Sequence, residues 1–93
     1  MHIGSLRVTL YLAEGSSLKD KRQVIKSLIE TTRRKFNVSV AEVDDLDLLR
    51  KCTLGIACVS NSASHANSML DTVLDQTESR PDISVGDVDL EIL

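Results

Sequence analysis

From Leu6 to Leu12 the chain alternates: Leu6, Val8, Leu10 and Leu12 are separated by Arg7, Thr9 and Tyr11. A period of two sets one face of a strand on a core and the other toward solvent, so residues 3–12 form a first predicted strand. Glu14, Gly15, Ser16 and Ser17 end it, and the period then changes. At 100° per residue Leu18, Ile25, Leu28, Ile29, Thr32 and Phe36 fall on one arc, with Val24 at its edge. This predicts a helix from Leu18 to about Lys35. Ser17 stands at its N-cap, and Asp20, three residues on, completes a capping box with Asp in place of the usual Glu. Asn37 breaks the helix.

Val38 to Val43 read as a second strand whose apolar phase slips near Ala41, the mark of a bulge or an early end. Asp44-Asp45-Leu46-Asp47 is the connection. Leu54, Ile56 and Cys58 alternate with Thr53, Gly55, Ala57 and Val59, predicting a third strand that starts near Cys52 and pairs with the second as an antiparallel hairpin. Ser60-Asn61-Ser62 supplies N-cap residues. Ala63, Ala66, Met69, Leu70, Val73, Leu74 and Thr77 then recur at three and four, a second helix that ends before Pro81. Ile83 and Val85, then Val88, Leu90 and Ile92, make a last strand, and a bulge at Gly86, where the phase changes, restores one buried face. The order β-α-β-β-α-β predicts an α+β, ferredoxin-like sandwich: a four-stranded antiparallel sheet with two helices on one face.

Ninety-three residues suit a single domain, 1–93, with a modest core. Hydrophobic residues at 42% and charged residues at 27% are ordinary for a folded protein and argue against disorder. The first residues, Met1 to Arg7, lack the pattern of a signal peptide, and no apolar run approaches membrane-spanning length, so the expected location is cytoplasmic with no membrane contact. Cys52 and Cys58 lie six apart on one strand, roughly 20 Å from each other, and are expected to be buried thiols rather than a disulfide. If Leu6, Val8 and Leu10 face the helices, the other sheet face offers Arg7, Thr9, Tyr11, Ala41, Val43, Gly55, Ala57 and Val59. That fairly apolar set lacks a cover, and homodimerisation through it is expected.

A net charge of −3 hides a strong asymmetry. Residues 1–36 carry eight Lys or Arg against three Asp or Glu, a balance of +5; residues 37–93 carry three against eleven, a balance of −8. On the first helix Arg22, Arg33, Lys26 and Lys19 lie at about 60° to 120° from Ile25, a basic stripe along one flank. Lys21 projects nearer the apolar face and would have to snorkel from the first turn. Four cations in line can contact successive phosphates of a nucleic acid, and the helix N-terminus with Ser16 and Ser17 can hold one anion. The candidate RNA- or phosphate-binding residues are therefore Ser17, Lys19, Arg22, Lys26 and Arg33. The competing reading is a solvated face partly paired with Asp71, Asp75 and Glu78 of the second helix.

Other chemistry finds little support. Gly15-Ser16-Ser17-Leu18-Lys19 is not a P-loop, for it lacks a second glycine directly before the lysine. Glu42, Asp44, Asp45 and Asp47 have no EF-hand spacing, and an acidic hairpin connection explains them better than Mg²⁺. His2 and His65 sit at no metal-ligand spacing with a cysteine, so no metal or other cofactor is expected. Ser60, Ser62, Ser64 and Ser68 around His65 read as capping and turn residues, with no G-x-S-x-G elbow. Base stacking on the sheet is disfavoured because Tyr11 and Phe36 are the chain's aromatics and Phe36 belongs with the core.

The runs Ser17-Leu18-Lys19-Asp20-Lys21-Arg22 and Phe36-Asn37-Val38-Ser39-Val40-Ala41-Glu42, with Asp47 and then Leu54-Gly55-Ile56-Ala57, closely resemble the bacterial YlxP-like family, domain of unknown function 503, over nearly the whole chain. The resemblance implies a ferredoxin-like fold and supplies no activity. Family members in many Gram-positive bacteria are encoded beside translation-initiation and ribosome-maturation proteins, which implies a role near the ribosome or RNA. The family's usual Asp-Leu-Trp-Gln-Arg is here Asp47-Leu48-Leu49-Arg50-Lys51, losing the aromatic and gaining a lysine. The expected function is that of a non-catalytic RNA- or ribosome-associated binding protein acting through the basic helix flank. The alternative is a dimeric regulatory or assembly module that binds an acidic protein or a small anionic ligand.

Overall fold

The computed structural model describes residues 1–13 and 17–93. The elements run β1 (His2–Leu12), α1 (Leu18–Lys35), β2 (Ser39–Asp44), β3 (Lys51–Ser60), α2 (Ala63–Glu78) and β4 (Ile83–Ile92). All neighbours in the sheet are antiparallel, in the order β2-β3-β1-β4. This is the expected ferredoxin-like α+β arrangement, in which β3 inserts between β1 and β2 and β4 closes the other side. No helix among the described residues is long and apolar enough to cross a membrane.

The alternation of β1 sets its role. Leu6, Val8, Leu10 and Leu12 are buried on the helix side of the central strand. They meet Ile25 and Leu28 of α1, Ala66, Leu70 and Val73 of α2, and the inward residues of the other strands. Two buried polar residues fit this core by bonding to their own helices: Thr32 Oγ1 donates to Leu28 O at 2.8 Å and Thr77 Oγ1 to Val73 O at 2.9 Å. Cys52 and Cys58 are both buried and free, as their spacing on one strand requires.

Both predicted bulges exist. On β4 three steps, Val85 to Val88, oppose two on β1, Leu10 to Val8, so the extra residue falls at Gly86-Asp87. A Cβ on Gly86 would stand 2.6 Å from Tyr11 Cε2, which is why glycine occupies the bulge. On β2 the extra residue is Val43, between Glu42 opposite Leu54 and Asp44 opposite Thr53. The slip is thus two residues later than the apolar phase near Ala41 suggested. Val43 Cγ1 lies 2.9 Å from where a Gly55 Cβ would be, so the bulged side chain fills the space that glycine leaves open.

Helix α1 starts on the predicted capping box. Asp20 N donates to Ser17 Oγ at 3.1 Å, and Ser17 N donates to Asp20 Oδ2 at 3.2 Å. From there α1 packs beside β2, whereas α2 packs on β1, β4 and β3. The two helices therefore cover different strands of one sheet face, and the flank of α1 that looks away from α2 borders the edge strand β2.

Candidate functional site

Along that border lies a groove of about 380 Å³. Its floor is apolar, from Ile25 and Ile29 of α1 and Val40 and Ala41 of β2; Arg22, Lys26 and Arg33 stand along the helix wall, with Glu30 and Glu42 also on the lining. The helical spacing explains the wall, because residues 22, 26 and 33 recur at four and seven and so share one face. Three of the four cations of the predicted stripe are thereby brought to one concave surface.

They differ in how they are held. Arg33 Nη2 donates to Val40 O at 2.8 Å, which fixes the guanidinium across the groove and occupies a carbonyl of the edge strand. Arg22 and Lys26 are exposed, and neither is ion-paired among the described residues. The same holds for Lys19, which is exposed on the first turn but does not line the groove. The pairing of this stripe with Asp71, Asp75 and Glu78 does not form among the described residues, as the positions of the helices explain.

Ser17 sits at the N-cap with its oxygen already accepting from Asp20 N, and the Asp20 carboxylate occupies the same helix end. An anion arriving there would meet that negative charge, so Ser17 has only its hydroxyl proton to offer. Ser16, the other residue expected at this end, lies outside the described residues.

Lys21 departs from expectation. It is set apart from the stripe, as its angular position indicates, but it does not snorkel: its side chain is 1% exposed. The ammonium donates to Asp45 O at 2.7 Å and Leu46 O at 3.2 Å, and stands 3.1 Å from Glu42 Oε2. The last contact is an ion pair without hydrogen-bond alignment, for Glu42 Oε2 is buried and has no hydrogen-bond partner. A lysine on α1 thus pins the turn after β2 from inside. Asp45 is the turn's left-handed residue, with φ 62°; its carboxylate accepts from Thr53 Oγ1 at 2.7 Å and pairs with Lys51 at 3.7 Å. The turn held in this way presents Leu46, Leu48 and Leu49 at about half exposure.

Cys52 borders the same cluster. Burial pushes its thiol up to about 12, the Glu42 carboxylate adds to the shift through its charge and a hydrogen bond, and Lys21 opposes it. A thiol held protonated in this way is a poor nucleophile. On the outer sheet face Arg7 Nη2 meets Asp44 Oδ2 at 3.3 Å, so the acidic connection is largely spent on its own cations. Among the described residues no three His, Cys, Asp or Glu side chains gather as metal ligands.

Comparison with known proteins finds likeness over most of the chain. A family model described as a protein of unknown function, DUF503, matches residues 3–90. The uncharacterized protein YlxP of Bacillus subtilis (strain 168) is 35% identical over 81 residues, which cover 87% of this chain and 88% of the relative.

Proposed function

The chain belongs to the DUF503 family, whose description assigns no activity, and from that premise we propose that it is a cytoplasmic, non-catalytic RNA-binding protein that docks on ribosomal or other structured RNA through the α1 flank. The observation that carries this reading is the groove wall: Arg22, Lys26 and Arg33 share one concave surface, and Arg22 and Lys26 have no acidic partner among the described residues. Unpaired cations are free to take phosphates in place of their counterions, and the release of counterions from the nucleic acid supplies much of the affinity in such complexes. Lys19 extends the line by one turn, and Ser17 offers its hydroxyl at the helix end. Contacts of this kind position an RNA backbone and read little sequence.

The test is binding to ribosomal subunits and to structured RNA across a salt series, for the wild type and for K19Q/R22Q/K26Q/R33Q. Four phosphate contacts lower affinity by roughly 100-fold between 50 and 200 mM salt, and their loss flattens the log–log slope by about 3 to 4. Equal binding by both proteins, or none by the wild type at low salt, overturns the proposal. Because Arg33 also braces Val40, R22Q/K26Q is measured separately and should account for about half of the slope change. Copurification that survives nuclease treatment would point instead to an acidic protein partner.

A further inference from the structure

The groove between α1 and β2 joins an apolar floor to its cationic wall, and we propose that it seats an unpaired nucleotide of an RNA chain, with the base on the floor and neighbouring phosphates on Arg22 and Lys26. This rests on the α1 flank being an RNA site and adds which RNA it takes. A duplex turns its base faces inward and offers a protein backbone oxygens and base edges, so it leaves Ile29, half-buried on the floor, facing water. An unpaired base has an open face that covers it. At about 380 Å³ the groove stands at the lower end of the roughly 300–1,000 Å³ of small-molecule sites, room for a nucleoside and not for a double helix.

Two side chains on the lining fit a base rather than a phosphate. Arg33 is exposed, yet its guanidinium is tethered by the hydrogen bond from Nη2 to Val40 O at 2.8 Å. A planar cation already held in place stacks on a base without first losing the freedom of a long side chain. That platform matters here because neither Tyr11 nor Phe36 lines the groove. Glu30 is exposed, lies one turn from both Lys26 and Arg33, and has no ion pair among the described residues. Its carboxylate repels phosphate and only accepts hydrogen bonds, so it favours a base with an amino group: cytosine donates from N4, where uracil presents a carbonyl. Glu42, the other carboxylate of the lining, is already faced by Lys21 at 3.1 Å. Arg22 and Lys26, about 6 Å apart along the helix, are left for phosphate.

The wild type is titrated at low salt, by fluorescence anisotropy, against labelled oligocytidine and oligouridine of about ten nucleotides, a length within known single-strand sites, and against an RNA duplex of the same length. Phosphate contacts alone favour the duplex, whose charge density is higher; a seated base reverses the order. Oligocytidine should bind about 5- to 10-fold tighter than the duplex, the low end of what one stacked base supplies. It should bind about 3- to 10-fold tighter than oligouridine, the worth of one hydrogen bond at an exposed site. R33K keeps the charge and removes the plane, so it should bring oligocytidine down to the duplex level with the salt slope unchanged. E30Q, whose amide both donates and accepts, should bind the two single strands alike. Both substitutions lie at exposed sites and should leave the thermal melt unchanged. A duplex bound as tightly as oligocytidine overturns the seated base and leaves the phosphate contacts standing, whereas no binding by any of the three RNAs removes both. An R33K or E30Q protein with the wild-type preferences overturns the proposal as well. Cytidine monophosphate, with one phosphate, should compete roughly tenfold more weakly than the chain, or worse; equal competition makes this a site for free nucleotides and overturns the RNA chain as its occupant.

Discussion

Replacing Lys21 by Met tests whether the buried ammonium, rather than the lysine stem, holds the hairpin turn. Methionine keeps most of the stem's volume among the core residues of α1 and removes only the charge and its three contacts. What remains is the Glu42 carboxylate, whose Oε2 already has no aligned donor, and two carbonyls, those of Asp45 and Leu46. Breaking a buried pair by deleting one partner costs about 3 to 5 kcal/mol, chiefly because the other charge stays buried and uncompensated. A domain of this length has a total stability of roughly 5 to 14 kcal/mol, so K21M should lose between about a fifth of it and all of it. Followed by circular dichroism in urea at neutral pH, the midpoint should fall by about 2 to 5 M at an m-value near 1 to 1.5 kcal/mol/M. Neutralising the orphan in the double variant K21M/E42Q should recover most of the loss, leaving about 1 to 2 kcal/mol for the two carbonyls, which lie in a turn that water can reach. A K21M protein within about 1 kcal/mol of the wild type, or a double variant no more stable than K21M, would refute this account.

Three further outcomes follow from single contacts. Gly86→Ala should cost about 1 kcal/mol in the wild type and almost nothing beside Tyr11→Ala, because the new methyl group meets the tyrosine ring; equal costs in both backgrounds in thermal melts would remove the ring as the cause. The Cys52 thiol, pushed up to about 12 when folded, stays protonated in a pH range where the unfolded thiol ionises. Its contribution is present below about 9 and lost as the pH rises toward 12, so the stability advantage of wild type over C52A should shrink by about 1.4 kcal/mol per unit above 9, checked by urea midpoints at pH 7 and 10.5. At Asp45, where φ is positive, D45A should be about 1 kcal/mol less stable than D45G, and D45N should exceed both because asparagine tolerates the left-handed region and keeps an acceptor for Thr53; a D45A protein as stable as D45G shows that the backbone is not strained there.

The order of elements was legible because each one carries its own period: two in β1, β3 and β4, and three to four in α1 and α2. Even the bulge at Gly86 announced itself as a phase change within β4. The pattern of β2 alone puts its bulge two residues early, because the position is settled by β3, where Gly55 leaves the space that Val43 fills. That is a decision between strands, and one strand's pattern does not contain it. Likewise Leu46 reads as part of the connection, and its exposure, like that of Leu48 and Leu49, depends on how the turn is pinned, not on the spacing of these residues.

Lys21 and the basic stripe show the same division at the candidate site. A helical wheel places each side chain by angle, which suffices to separate Lys21 from Lys19, Arg22, Lys26 and Arg33. It does not say what lies opposite. For Lys21 the partner is a carbonyl 24 residues away, and its presence turns a lysine expected to reach for water into one that is buried. For Arg22, Lys26 and Arg33 the neighbour is the edge strand at Val40 and Ala41, which makes a groove of a stripe and excludes Lys19, one turn too early. The predicted pairing with Asp71, Asp75 and Glu78 fails on the same ground, since α2 covers β1 and β4 rather than standing against this flank. Charges whose nearest neighbours along the chain are no guide to their partners are left without an ion pair among the described residues by the topology of the sheet, and it is on that lack of a partner, more than on their number, that the proposed phosphate contacts rest.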